Sequence, residues 1–215
     1  MANEARDAVA NEARDAVVAR FDGRATSYDD SAMHRNLAAA VAAFVDLGGV
    51  HHVLDVATGT GLVLRALPVD PTVRMVGVDL SPRMLAVAHA ALPKAELVVA
   101  DAAMLPLAGS CVDLVTCVMA LHLMPDVGAV LREWTRVLRP GGRAVTATFG
   151  RRDGAAVHTH CSASLPFPVH PEQFSTPELM AVVAAPFGLA VVRHEWWTHE
   201  DDTVVIVELA RTAQG

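Results

Sequence analysis

Two glycines and two aspartates, spaced along consecutive strand-to-helix units, are the residues best suited to hold a ligand. The apolar run around Asp55 predicts a buried strand, and the turn that follows contains Gly59 and Gly61 before an apolar helix begins. A glycine-rich turn lets a ligand approach the backbone closely and directs free N–H groups at it. The next predicted strand ends in Asp79, which is well placed to accept both hydroxyls of a ribose. The spacing therefore predicts a nucleoside-binding protein.

The glycine spacing bears on which nucleoside is bound. A dinucleotide-binding fingerprint needs a third glycine three residues after the second, and that position is Leu64. The third glycine allows close helix packing while the turn wraps a pyrophosphate. Its absence counts against nicotinamide and flavin cofactors without excluding them, so an NAD(P)-dependent oxidoreductase stays open as an alternative.

Alternating strands and helices must position these residues. Such alternation is typical of βαβ units and a parallel sheet. Parallel strands are predicted at 52–56, 74–79, 95–100, 112–119 and 143–149, with helices at 61–67, 82–91 and 127–138. Two last strands, 188–197 and 203–211, are joined by a short acidic turn and form an antiparallel pair. We therefore expect an α/β, doubly wound, Rossmann-like sheet of seven strands, five parallel plus a C-terminal antiparallel hairpin.

The length predicts a single domain over 1–215. It divides into an N-terminal helical cap, a cofactor-binding core, a loop over the site, and a last helix with the hairpin: 1–47, 50–150, 150–175 and 176–211. The cap contains an amphipathic helix at 36–47 and begins with an eight-residue unit repeated in tandem over 2–17. We expect these helices to cover the mouth of the site.

Composition limits the partners and the compartment. The chain is 53% hydrophobic with a net charge of -7, and it has no basic stripe that could neutralise nucleic acid phosphates. It shows no secretory signal and no apolar run of about 18 residues, so no membrane contact is expected. Its three cysteines are Cys111, Cys117 and Cys161, a sparse set that predicts a reducing cytoplasm. The histidines and cysteine over 158–170 match no zinc-ligand spacing, and no metal is expected.

Four motifs occur in order and belong together: Leu54–Gly61, Gly77–Ser81, Ala100–Ala102 and Leu131–Gly142. As a set they resemble class I S-adenosylmethionine-dependent methyltransferases, in particular the small-molecule group that includes the ubiquinone and menaquinone biosynthesis C-methyltransferases. The resemblance covers about residues 20–150. The segment 21–30 also looks like the part of that family that folds over the cofactor.

The resemblance implies S-adenosyl-L-methionine as cofactor and S-adenosyl-L-homocysteine as product. It implies that the Gly59 and Gly61 turn passes close to the methionine portion and that Asp55 helps to order it. Asp79 would accept the ribose hydroxyls, and Tyr28 would close over the cofactor. The full implied set of cofactor-binding residues is Tyr28, Asp55, Ala57, Thr58, Gly59, Gly61, Asp79, Leu80, Met84, Asp101, Ala102, Cys117, Val118 and His122.

The adenine and the sulfonium are assigned in the same way. Leu80 and Met84 would flank the adenine, and Asp101 would accept from its amino group with the next backbone amide beside it. Cys117 and Val118, at the end of the fourth strand, would place backbone near the sulfonium.

His122 is the candidate catalytic residue, as a general base or an orienter of the acceptor, because histidine titrates near neutral pH. The fourth strand lacks the Asn-Pro-Pro-Tyr type of motif that polarises an amide or a base amino group. We therefore expect methyl transfer to carbon or oxygen of a small-molecule acceptor, by a monomer or a homodimer. The second alternative is a degenerate, non-catalytic protein that binds the nucleoside and acts as a partner.

Overall fold

A computed structural model describes residues 12, 14–152 and 171–212. One seven-stranded sheet has the order β3-β2-β1-β4-β5-β7-β6. The strands are β1 His52–Val56, β2 Arg74–Asp79, β3 Glu96–Val99, β4 Val112–Val118, β5 Leu138–Phe149, β6 Leu189–His199 and β7 Asp202–Arg211. Strands β1 to β5 pair in parallel, whereas β7 pairs antiparallel with both β5 and β6. The predicted seven-stranded architecture is confirmed.

Within the described residues, six α-helices accompany this sheet. The first, α1, spans 14–22. The others are α2 Ala32–Phe44, α3 Leu62–Ala66, α4 Pro82–Ala91, α5 Val127–Val137 and α6 Pro177–Ala184. Several begin at side-chain caps: the Ser81 hydroxyl accepts from the Met84 amide, and the Thr176 hydroxyl accepts from the Leu179 amide. A proline follows each of these two caps, where its fixed φ suits the first helical turn.

The two faces of the sheet carry separate apolar cores. One core packs α5 and α6 against the sheet, with Trp134 and Met180 fully buried. The other packs α2 and α3 against the opposite face through Leu37 and Leu64. Adjacent residues of β1 alternate between the cores, as the period of a strand requires. Helices on both faces make the fold doubly wound, as predicted.

Two elements, α2 and β5, have boundaries more than two residues away from the sequence-based expectation. The helix expected at 36–47 is Ala32–Phe44, because the Ser31 hydroxyl caps it earlier and Val45 is already extended. The turn expected before 143 lies inside β5, where Gly141 has a φ of 77°. The pairing of β5 with β4 shifts register between Val112 and Leu114, so the residues of the expected turn form a bulge within β5.

Several predictions fall outside the described residues. These are most of the tandem repeat, most of the 150–175 loop, and the residues His158, His160, Cys161 and His170. None of the helices within 14–152 and 171–212 combines the length and hydrophobicity needed to cross a bilayer.

Candidate functional site

The main cleft lies at the carboxyl ends of the parallel strands. The chain runs outward from β1 to β3 and returns beside β1 as β4, so the strand order reverses there. Ligands of open α/β sheets bind at such a switch point. The cleft encloses about 1010 Å³ including the part open to solvent. It is lined by the glycine turn, by the residues after β2, β3 and β4, and by α1.

The glycine turn forms one wall, and its two glycines have different roles. Gly59 lines the cleft with a φ of 56°, and Ala57 lines it with a φ of 55°, which is unusual for a non-glycine residue. Gly61 does not line the cleft. A Cβ at Gly61 would lie 2.8 Å from the Leu92 Cδ1 atom, so this glycine allows α3 to start close against the end of α4.

Asp79 joins two of the loops around the cleft. Its Oδ2 accepts a hydrogen bond from the Gly59 amide at 2.8 Å, and its Oδ1 accepts from the Ser81 amide at 2.8 Å. Burial raises the pKa of this carboxyl, although the backbone hydrogen bonds oppose the shift. A carboxylate has about four acceptor positions, so each oxygen can accept a further hydroxyl. Leu80 and Met84 line the same part of the cleft.

Asp101 lies at the far end of the cleft, next to Ala102. Its Oδ1 accepts from the Ala103 amide at 2.8 Å, and its Oδ2 forms an ion pair with the Arg14 guanidinium. Arg14 belongs to α1, so this ion pair connects a helix that lines the cleft to the carboxylate that is expected to bind adenine. Sequence analysis missed Arg14, because an arginine in a repeated helical unit carries no sign of a distant partner.

A second, smaller space, which we call the side cavity, lies behind the glycine turn. It shares Tyr28, Ala57, Gly59, Val118 and Met119 with the main cleft. Its remaining lining residues are His34, Leu37, Ala38, Asp55, Thr58, Thr60, Leu62 and Val63. The two spaces therefore meet at the end of β4, so one elongated ligand can occupy both.

Asp55 is the buried charge of the side cavity. Its Oδ1 accepts from the Thr116 hydroxyl at 2.6 Å, whereas Oδ2 has no hydrogen-bond partner among the described residues. Burial raises the pKa of this carboxyl to about 6. The Thr58 hydroxyl lies near enough to oppose that increase, but it does not reach hydrogen-bonding geometry.

The end of β4 presents only some of the residues expected there. Val118 lines both spaces, while Cys117 points into the core and burial raises the pKa of its thiol. His122 lines neither space, and its ring centroid lies 5.9 Å from that of Phe149. Burial lowers the pKa of His122 to about 4, so the ring is a weak base at neutral pH.

Met119 is a lining residue that sequence analysis did not single out. It follows β4 with a φ of 56°, a conformation that costs a non-glycine residue roughly 1–2 kcal/mol. Its amide donates to the Ala147 carbonyl at 2.8 Å, which holds the strained residue in place. Strain of this kind is typical of functional sites. Within the described part of the chain, no group of His, Cys, Asp and Glu converges as a metal site.

Comparisons with known proteins agree with this geometry. Residues 54–146 match the family model for a methyltransferase domain. A malonyl-[acyl-carrier protein] O-methyltransferase of Hahella chejuensis is 35% identical over 136 residues, covering 61% of this chain and 49% of the relative. A ubiquinone/menaquinone biosynthesis C-methyltransferase of Syntrophotalea carbinolica is 36% identical over 110 residues, covering 49% of this chain and 46% of the relative. The chain thus spans about half the length of these curated relatives.

Solved structures share the fold across nearly the whole chain. A 1,6-didemethyltoxoflavin-N1-methyltransferase of Burkholderia thailandensis, solved with S-adenosylhomocysteine, covers 94% of this chain and 90% of its own. Its TM-score is 0.69 at 20% sequence identity, so this likeness concerns the fold. Residues 54–146 thus match a methyltransferase domain, and the chain has the fold of class I S-adenosylmethionine-dependent methyltransferases and resembles the ubiquinone and menaquinone C-methyltransferase group.

Proposed function

We propose that this chain transfers a methyl group from S-adenosyl-L-methionine to carbon or oxygen of a small molecule, releasing S-adenosyl-L-homocysteine. The observation that carries the proposal is Asp79, at the carboxyl end of β2, with its carboxylate fixed by the Gly59 and Ser81 amides. That carboxylate faces a cleft at the switch point of the sheet.

The residues present fit this cofactor. Asp79 suits a ribose diol, and Leu80 and Met84 offer apolar surface for a base. The Oδ2 atom of Asp55 has no hydrogen-bond partner within 14–152 and 171–212, and it suits an ammonium group because a buried carboxylate oxygen without a donor is costly. Adenosine would thus occupy the main cleft and the amino acid portion the side cavity.

The protein contributes mainly binding and alignment. The bound cofactor supplies an electrophilic methyl group on a sulfonium, and displacement at that methyl needs an aligned, electron-rich acceptor more than it needs a catalytic side chain. Helix α1 lines the cleft with the apolar side chains of Val17 and Phe21, which would reduce the access of water to the reacting atoms. His122 stays a candidate base, although its position behind the cleft does not favour it.

Carbon and oxygen are the favoured attacked atoms. The two curated relatives are named as a C-methyltransferase and an O-methyltransferase. The net charge of -7 and the absence of an amide-polarising motif after β4 argue against nucleic acid and protein amide acceptors.

We also infer a reducing compartment such as the cytoplasm. Among the described residues, Cys111 and Cys117 are free thiols rather than partners in a disulfide. Sparse, unpaired cysteines are typical of proteins kept in reducing conditions.

Titration calorimetry tests the function. Wild type should bind S-adenosylhomocysteine but not a reduced nicotinamide dinucleotide. Asp79→Ala should weaken S-adenosylhomocysteine roughly 10- to 100-fold, since charge-assisted hydrogen bonds to the ribose are lost. Asp70→Ala is the matched control, because Asp70 is exposed and its side chain accepts hydrogen bonds from Thr72 in its own turn.

Turnover is then measured with a labelled methyl donor and a panel of phenols, quinols and carboxylic acids. Methylation of any member supports the proposed chemistry. Binding of the nicotinamide dinucleotide alone would favour an oxidoreductase. Binding of S-adenosylhomocysteine without turnover on the whole panel would favour a non-catalytic nucleoside-binding protein.

A further inference from the structure

Strand β6 has an open outer edge. It is the last strand in the sheet order, and β7 is its one strand neighbour within 14–152 and 171–212. Among the described residues, no backbone hydrogen bond outside the strand pairing involves β6. The strand is 11 residues long, and residues 192–195 are all exposed. A long edge of this kind presents a row of unpaired N–H and C=O groups, which is a template for a further strand.

Proteins usually protect such an edge with a bulge or with charges, and β6 has both. Its register against β7 shifts between Val191 and Arg193, and Val192 at this bulge is 56% exposed. The Arg193 guanidinium turns towards its own chain, where it donates to the Glu208 carboxylate and to the Phe44 carbonyl. This positive charge therefore lies against β7 and the end of α2 and does not block the open edge.

Arg193 and Glu195 can each accept another partner of opposite charge. The Arg193 side chain is 46% exposed, and its Nη1 atom donates to no group in the part of the chain that the structure describes. The exposed Glu195 carboxylate forms no ion pair there. The two residues are separated by one position in a regular stretch of the strand, so their side chains lie on the same face of the sheet.

This arrangement of charges is self-complementary. When two identical strands pair antiparallel about a two-fold axis at His194, each Arg193 lies opposite Glu195 of the second copy. An axis one residue further along would place the two Glu195 carboxylates opposite each other, and like charges in that position are destabilising. The axis at His194 also brings the exposed Val192 next to Trp196 of the second copy. The charges therefore select both the partner and the register.

We propose that two copies of this chain associate through their β6 edges, in antiparallel pairing about a two-fold axis at His194, with two reciprocal Arg193–Glu195 ion pairs. The two seven-stranded sheets continue as one across this interface. The main cleft has no lining residue from β6, so the pairing leaves it open in both copies.

Sedimentation velocity of the full chain tests the association. Wild type should pass from 22.7 kDa to twice that mass as its concentration rises. Glu195→Lys should raise the dissociation constant of the dimer roughly 10- to 100-fold, because two attractive pairs become repulsive. Glu12→Lys is the matched control with the same change of charge. Glu12 is exposed and lies two residues before Arg14, whose partner Asp101 follows β3 at the opposite edge of the sheet.

Cysteine cross-linking tests the register. In the proposed dimer the two His194 residues face each other, with Cα atoms about 4.5–5.5 Å apart, so His194→Cys should form a disulfide-linked dimer under mild oxidation. Thr198→Cys is the control, because Thr198 is also exposed but its two copies would lie about 27 Å apart along the paired strands. The native cysteines are the same in both variants, and thermal unfolding verifies that each variant is folded.

The outcomes separate the proposed interface from other modes of association. A dimer that is weakened by Glu195→Lys and cross-linked by His194→Cys alone supports the inference. A wild type that stays monomeric at every concentration would overturn it. A dimer that is insensitive to Glu195→Lys, or that cross-links equally through Thr198→Cys, would overturn it as well, since the contact then uses another surface or register. These measurements need neither cofactor nor turnover, so their failure leaves the proposed function untouched.

Discussion

At the scale of single residues, Asp55 places a carboxyl where water is excluded. Its pKa of about 6 stands against an ordinary value of 3.8, with burial as the largest cause. Asp79, on the neighbouring strand, adds like-charge repulsion, and the Thr116 and Thr58 hydroxyls oppose the shift. An acid whose folded-state pKa is raised binds its proton more tightly when folded. The unfolding free energy therefore falls as pH rises from about 4 through about 6.

Asp55→Asn should remove that penalty. The carboxyl is fully buried, so we expect the variant to gain in unfolding free energy relative to wild type as pH rises. The gain should grow by roughly 1–2 kcal/mol between pH 5 and pH 8. Urea denaturation at the two pH values measures it. The variant should also lose affinity for S-adenosylhomocysteine, since its amide cannot pair with an ammonium.

Asp113→Asn is a control in which the pKa of the replaced carboxyl is shifted in the opposite direction. Burial raises the pKa of Asp113, but hydrogen bonds from the His51 amide, the Arg139 guanidinium and the His52 amide lower it overall. Its stabilising contribution is present at neutral pH and lost as pH falls towards the folded pKa. Asp113→Asn should therefore be less stable than wild type at pH 8. A constant difference between Asp55→Asn and wild type across pH would contradict the raised pKa of Asp55.

What the sequence could predict at this scale depends on where a residue sits. Asp55, Asp79 and Asp101 border the two spaces because strand ends in a parallel sheet meet at one edge. Arg14 and His34 come from helices before the sheet, and their partners depend on how those helices pack, which no local pattern encodes.

At the scale of elements, two aspartates form hydrogen bonds that connect the end of α1 and the segment after it to the loops after β1 and β2. Asp22 accepts from the Ser81 hydroxyl at 2.5 Å and from the Arg83 amide at 3.2 Å, at the loop after β2. Asp29 holds the loop after β1, accepting from the Thr60 hydroxyl and the Arg65 guanidinium, both at 2.5 Å. Tyr28, directly before Asp29, borders both spaces, so these contacts set its position.

Asp22→Asn and Asp29→Asn should each weaken S-adenosylhomocysteine binding by roughly 3- to 10-fold. Each change weakens the hydrogen bonds that hold the segment around Tyr28 against a loop that lines the cleft. Their effect on unfolding free energy should be about 1 kcal/mol or less, since the Asp29–Arg65 pair is partly exposed. Calorimetry and urea denaturation measure the two quantities.

Asp30→Asn is the matched control for this segment. Asp30 is exposed and lies in the same short 3-10 turn as Asp29. If Asp29→Asn and Asp30→Asn bind S-adenosylhomocysteine with equal affinity, the hydrogen bonds of Asp29 to Thr60 and Arg65 do not contribute to cofactor binding.

Element boundaries were predictable where local chemistry sets them. Ser81 and Pro82 start α4 at the predicted residue, because the cap and the proline act within one turn. The extension of β5 back to Leu138 was not predictable, since it depends on pairing with β4 across a bulge around Gly141.

At the scale of the whole molecule, the region that matches the methyltransferase family model shares both of its apolar cores with elements outside it. Residues 54–146 include neither α2 nor the β6–β7 hairpin. Helix α2 supplies Leu37, Val41 and Phe44 to one core, and β7 supplies residues to both cores. Arg193 of β6 joins the parts: it pairs with the buried Glu208 of β7 and donates to the Phe44 carbonyl at 2.6 Å. The predicted single domain requires all of these parts to unfold together.

Leu37→Ala and Leu131→Ala test that requirement, one in each core. Both side chains are buried, so each truncation should lower the unfolding free energy by about 2–5 kcal/mol. Because both cores rest on one sheet, each variant should shift a single transition, with tryptophan fluorescence and far-ultraviolet circular dichroism remaining coincident. Val182→Ala is the control: its side chain is 72% exposed, and the change should stay within about 0.5 kcal/mol. A separate early transition in Leu37→Ala, followed by one at the wild-type midpoint, would show that α2 detaches by itself. His34 lies on the same helix, so that result would mean the side cavity can be lost while the sheet stays folded.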